Sequence, residues 1–358
     1  MRKFVFLFFI ILFSFLYSKE ELRPYRLINA DSLIVEKKND FYHTDLIGNV
    51  HFFYGDTEFF CDRAIVDEER KITIMQGNVK VYEDTLSLFA QNSEYHRNDE
   101  KIFLNNDVKI VQLLPDSTKN IFWAEHITYQ RNDSLLTAQV RVKALSEKEN
   151  ITARCGFLKY NLKSHYGYLL KKPFIQKKEK DKIFSVSAEK IEYFDDYKKV
   201  VASFNVHSKF EDYLIISSFL LYFSDEEKAV VIGSPEFISK EAKATAGQFI
   251  FYLQKNKLKT ADLTDSCKVY YKISESDSLK RNYVFADKIK LNFENGELNN
   301  MTALGEVQTF YVQDKSKNQD FAKNYVNGDS LFFKMKDNKI ESIFLKKGRE
   351  GRYYFEKN

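Results

Sequence analysis

Across its 358 residues the chain carries 55 Lys and Arg against 51 Asp and Glu, a formal +4 that is close to neutral for this length and lacks the strong basic excess of a nucleic-acid binder. Aromatic residues reach 16%, mostly Phe and Tyr, with only 12 Gly and 4 Pro, a composition that suits strands. Three widely spaced cysteines, Cys61, Cys155 and Cys267, are an odd number and make no disulfide framework.

The first 18 residues, MRKFVFLFFIILFSFLYS, set Arg2 and Lys3 ahead of an apolar run from Phe4 to Leu16. This is the build of an export signal, cleaved after Ser18, with an uncleaved anchor as the alternative. The run is shorter than the roughly 20 residues of a membrane-spanning helix. The nearest cysteine is Cys61, which argues against a lipoprotein anchor.

From residue 28 onward one pattern recurs ten times with a period near 30: a small residue, an aliphatic three places on, and an aromatic or branched residue five places on. The units start at Ala30, Cys61, Ala90, Ala124, Cys155, Ala188, Ser218, Ala246, Ala286 and Gly328, the third being imperfect at Ser93. Internal repeats of this length mean stacked units. Turn signals follow each small residue, at 39–40, 68–69, 98–99, 132–133, 195–196, 295–296 and 337–338, and they predict hairpins. The chain then returns through GNVHF at 48–52, GNVKV at 77–81, Val108 and Ile110, Val140 and Val142, and GEV at 305–307. Each unit is therefore read as two antiparallel strands.

An apolar residue also sits two places before most of the small ones, for example Ile28, Phe59, Leu88 and Ile216. Side chains in a strand alternate with a period of two, so apolar places at −2, 0, +3 and +5 require a change of parity at the small residue. That predicts a bulge or bend, matched on the returning strand at Gly48, Gly77, Asn106, Ala138, Gly233 and Gly305. The predicted fold is all-β: an elongated V-shaped β-jellyroll of about ten stacked two-strand repeats. It divides into an N-terminal half at 22–170 and a C-terminal half at 183–358, continuous with each other or parted at the basic stretch KKPFIQKKEKDK of 171–182. That stretch reads as a solvated turn or loop.

Chemistry has little foothold in this pattern. The six histidines fall in different repeats with no metal-ligand spacing, and no nucleophile, zinc or phosphate-loop motif occurs. Asp31, Asp62, Glu125, Glu189 and Asp287 recur just after the small residue and read as solvated corner residues. The expectation is a protein that is not an enzyme and uses no cofactor or metal.

The sequence NADSLIV…GNVHFFYGDTEFFCDRAIV…GNVKVYEDTLSLFAQ resembles the OstA-like family of periplasmic lipopolysaccharide-transport proteins, with the register continuing more weakly after Cys155 through FNV at 204–206 and GEV at 305–307. The resemblance implies a β-jellyroll in the periplasm of a Gram-negative bacterium whose interior holds the acyl chains of lipopolysaccharide. It implies docking to inner-membrane and outer-membrane transport components, and head-to-tail self-association. The inward positions of the repeat name the expected groove: Leu33, Val35, Phe59, Val79, Val81, Leu88, Ile127, Tyr129, Val140, Ile191, Tyr193, Val206, Phe251, Ile289 and Val307. The same residues would fill a dry core, and a non-lipid envelope scaffold or adhesin is the competing reading. The strand edges near Ile28 to Val35 and after Gly328 are the expected docking edges.

Overall fold

The computed structural model describes residues 25–356 apart from 180–181, 195–196, 211, 241, 256, 273–280, 295–296, 313–320 and 337–338. The expected export signal and the expected turns at 195–196, 295–296 and 337–338 therefore lie outside the described residues. Among the described residues there are strands and turns and no helix. They form 26 strands in one hydrogen-bonded antiparallel sheet. Six ribbons are broken at the corner into two strands each, as in Tyr25–Asn29 and Ser32–Lys38, which leaves twenty ribbons stacked in chain order. The fold is the expected elongated V-shaped roll.

Strand Thr57–Asp67 shows the plan. Thr57, Phe59 and Cys61 point inward, Asp62 and Arg63 face solvent, and Ala64 and Val66 point inward again. The part before this crease belongs to the first arm of the V and the part after it to the second. The next strand, Ile72–Glu83, returns along the second arm and then the first. One ribbon alone cannot bury its apolar side chains, each worth roughly 1.5–3 kcal/mol on full burial, so stacking and facing arms supply the burial.

The crease itself is a bulge with a fixed chemistry. Ile47 pairs with Arg63 and Val50 with Cys61, so Gly48 and Asn49 together oppose Asp62. Both lie in the left-handed region, at φ 75° and 47°, and so do Gly77 and Asn78 at 72° and 48°. A side chain at Gly77 would be strained by its φ, and its Cβ would fall 2.1 Å from Oδ2 of Asp62. Asn78 donates from Nδ2 to that same carboxylate at 2.9 Å, and Asn49 donates to Asp31 at 3.1 Å. Asn205 and Glu189, and Arg141 and Glu125, make the equivalent pairs. The recurring acids are thus more than solvated corners: they cap the bulge of the next ribbon.

Three expectations are corrected, two of them about register. In strand Leu135–Ser146 the left-handed pair is Val140 and Arg141, at φ 64° and 52°. Val142, rather than Val140, therefore takes the inward place opposite Cys155, and Ala138 lies one step earlier, opposite Leu158. In strand Tyr213–Phe223 the corner residue paired with Val206 is Ser217, not Ser218. The slip of one residue turns Leu221 and Phe223 outward and puts Leu220 inside. Residues 171–179 of the basic stretch are no surface loop: Lys171 and Lys172 form a crease, and Phe174–Glu179 is a first-arm strand paired on both sides.

Inside the V, directly paired residues form rows that cross every ribbon. On the second arm one row runs from Leu33 through Leu46, Met75, Leu104, Ile191 and Phe249 to Leu345, each step a register pair, and Ser93 is its single polar member. The buried residues make two clusters, Leu46 to Leu169 and Val186 to Phe333, and Ile175 packs against both.

Candidate functional site: the interior of the roll

The two arms face each other closely enough for their rings to touch. Tyr95 of the second arm lies 5.9 Å from Phe59 and 5.7 Å from Tyr54, both of the first arm. Of the residues expected to line the interior, Phe59, Val79, Val81, Leu88, Ile127, Tyr129, Ile191, Val206, Ile289 and Val307 are buried between the arms. Tyr193 and Phe251 are inward but half-buried. Leu33, Val35 and Val140 are not part of the enclosed interior: they are 54%, 52% and 48% exposed. Leu33 and Val35 share a face with the interior, since they pair with Leu46 and Thr44, but Ser32–Lys38 is the outermost described strand at that end and none of the described residues covers them. Val140 is turned out by the bulge at the crease.

The open side of the V, opposite the crease, is closed in the N-terminal half by polar side chains that reach from one arm to the other. Arg131, in the turn at the end of the second arm, binds both oxygens of Glu83 on the first arm at 2.9–3.1 Å and Oγ1 of Thr57 at 3.0 Å. It also donates to Glu100 at 2.7 Å and to the Tyr95 hydroxyl at 3.0 Å. Burial opposes its charge, but the bonds and charge of Glu83, with Tyr95 and Glu100, outweigh burial and raise its pKa. One turn earlier Arg97 holds Glu68 and the Asp67 carbonyl, each at 2.9 Å, and lies over the ring of Tyr25 on the first arm. The Tyr25 hydroxyl bonds Thr73 of the second arm, and burial pushes its pKa up to about 12. Farther along, Gln112 of the first arm donates to the Leu162 carbonyl across the opening at 3.2 Å.

These latching residues escape a search for apolar periodicity, yet the sequence carries a signal for them. YHRND at 95–99 and YQRND at 129–133 place an Arg at the same point of two successive repeats, just before the turn. Because Tyr95 and Tyr129 point inward, the following turn delivers the guanidinium to the opening.

The C-terminal half is built differently at this side. Phe184, Ile215, Phe237, Phe251, Leu291 and Phe293 are apolar, half-buried and packed against the second cluster. The ion pairs Lys290–Asp262 and Lys334–Glu341 join neighbouring strands of one arm. Tyr271 is half-buried against the second cluster, with its hydroxyl 3.8 Å from the Met301 sulfur. Neither half gathers three potential metal ligands among the described residues. Cys61, Cys155 and Cys267 are free, and burial pushes their thiols up to about 12, 11 and 11.

No family model matches the sequence, and no curated protein matches it. Among solved structures the chain is similar to LptH of Pseudomonas aeruginosa, described as the LptA-homologous periplasmic component of the lipopolysaccharide transport device. The identity is 13%, the match covers 42% of this chain and 83% of that one, and the TM-score is 0.29.

Proposed function

We propose that the protein is a lipid carrier of the cell envelope, working in the periplasm of a Gram-negative bacterium, with lipopolysaccharide acyl chains sheltered between its arms. The observation that carries this reading is the pair of facing, largely apolar walls, which run from one exposed sheet edge to the other with few polar members such as Ser93 and Ser208. Each methylene kept from water saves roughly 0.8 kcal/mol, so a long apolar cleft is what an acyl chain needs in transit. The half-buried aromatics Phe251 and Phe293 make the C-terminal half the loading segment, while the latched N-terminal half serves as a rigid extension. Exposed apolar side chains on the outermost described strands, Ile34 and Val35 at one end and Ile343 and Phe344 at the other, support docking by strand addition to transport partners or to a second copy.

The test is photo-crosslinking in cells from benzoylphenylalanine placed at Tyr193 or Phe251, with Gln76 on the outer surface as control. Lipopolysaccharide adducts from the two inner positions and none from Gln76 are expected. Inner positions that never capture lipid would overturn the carrier reading in favour of a scaffold with a dry core.

A further inference from the structure

The outer surface of the first arm carries a feature that the interior does not explain. Strand register places Phe60, Lys80, Phe89, Lys109, Trp123 and Lys143 side by side in a single row across six consecutive ribbons. All six point away from the interior, because their neighbours Phe59, Val79, Leu88, Val108, Phe122 and Val142 are buried. The row continues through Arg154 to Phe174, where the guanidinium lies 4.3 Å from the ring centroid. Across the first six of these ribbons aromatic and cationic side chains alternate, before Lys143 and Arg154 stand side by side, and with strands about 4.8 Å apart the lysines recur every ~10 Å.

Charge on this face is one-sided. Across these ribbons the outward first-arm positions between crease and opening hold one carboxylate among the described residues, Glu58, and His51 bonds it at 2.8 Å. Lys80, Lys109 and Lys143 have no ion-pair partner among the described residues. On the outer surface of the second arm carboxylates are interleaved with the cations: Arg63 is held by Asp45 at 2.6 Å and His96 by Glu94 at 3.3 Å. The first arm instead sets three unpaired lysines in one line in a chain whose formal charge is only +4.

The geometry points to a binding strip for an acidic polysaccharide, lying across the strands on the outer surface of the first arm. An extended glycan advances by about one strand spacing per sugar, so a uronate chain can set a C–H face on Phe60, Phe89 or Trp123 and a carboxylate on the lysine between. Single-stranded nucleic acid also combines stacking with phosphate contacts, but its bases need broad open ring faces. Here the rings are half-buried and flanked on both sides by neighbouring side chains, which leaves a strip suited to a narrow pyranose. The strip is independent of the interior, so it stands or falls apart from lipid carriage.

Trp123 is the one tryptophan of the chain and sits in the row, so its fluorescence reports occupancy directly. The full chain is titrated with polygalacturonate at low salt, with dextran as the neutral control and oligothymidylate as the nucleic-acid control. A saturable change with polygalacturonate alone is expected, weakening as salt screens the lysines and at least tenfold weaker in K80Q/K109Q/K143Q. Lys80 and Lys143 are exposed, so the single variants K80Q and K143Q, checked by circular dichroism, carry the test if the triple variant does not fold. Absence of binding both by fluorescence and by affinity electrophoresis overturns the proposal, as does binding that ignores the lysine substitutions. Tighter binding of oligothymidylate with the same lysine dependence reassigns the strip to nucleic acid.

Discussion

Replacing Arg131 by Met keeps the apolar stem and removes the charge that ties the arms together. Arg131 is 12% exposed, and its partners Glu83 and Glu100 are 23% and 16% exposed, so the variant takes the cation away from two largely enclosed carboxylates, of which Glu100 keeps the Tyr95 hydroxyl at 2.8 Å. Breaking a buried pair from one side costs roughly 3–5 kcal/mol, and residual solvent at the carboxylates lowers this to ~2–3 kcal/mol. For a unit of 150–250 residues each kcal/mol moves Tm by ~2–4 °C, so the transition of the N-terminal half should fall by ~4–12 °C in a calorimetric scan. The decisive companion is Arg131→Met with Glu83→Gln and Glu100→Gln. Neutral partners no longer suffer from the missing cation, and most of the loss should return. A single variant within ~1 °C of the parent, or a triple variant as weak as the single, would show that Arg131 does not hold the opening shut.

Other outcomes follow from particular residues. Ser93 is buried in the second-arm row with no hydrogen-bond partner for its hydroxyl, and Ser208 is its counterpart in the other half. Ser93→Ala should raise stability by ~1 kcal/mol, read from the urea midpoint, and a loss would point to an unrecognised partner. Gly77→Ala forces a side chain into positive φ against Asp62 and should cost ~1–3 kcal/mol, whereas an unchanged midpoint would mean the bulge can relax. The thiols should resist a disulfide reagent at pH 8 in the native protein and react in urea. Their folded pKa values are raised above the ordinary value of 9.0, so their contribution to stability is complete below pH 9 and is lost as pH climbs toward 11–12. A stability flat across that range, or prompt native labelling, would contradict their burial.

The repeat, the crease and the inward positions were legible in the chain because each is fixed by local sterics. A small residue at the inside of a bend, a Gly–Asn pair in the left-handed region and a period-two alternation act within a few residues. Reading failed where two registers were locally plausible: AQVRV offered Val140 or Val142, and SSF offered Ser217 or Ser218. In both cases pairing with the neighbouring ribbon chose, because a slip of one residue, or the placing of the bulge, exchanges inside for outside.

What local pattern could not supply is everything that joins distant ribbons. The partners of Arg131 lie 31 to 74 residues away, and they converge only once the arms face each other and close. The aromatic and lysine row is likewise scattered through six ribbons and becomes a line only through register. Exposure of Leu33 and Val35 was also decided there, since their inward spacing matches that of buried residues and only the lack of a further ribbon among the described residues sets them apart. The sequence by itself determined the creased ribbon, because backbone sterics act at short range. Tertiary structure decided which half is latched, which surface is basic and which edges stand open, because stacking sets the partners of each side chain.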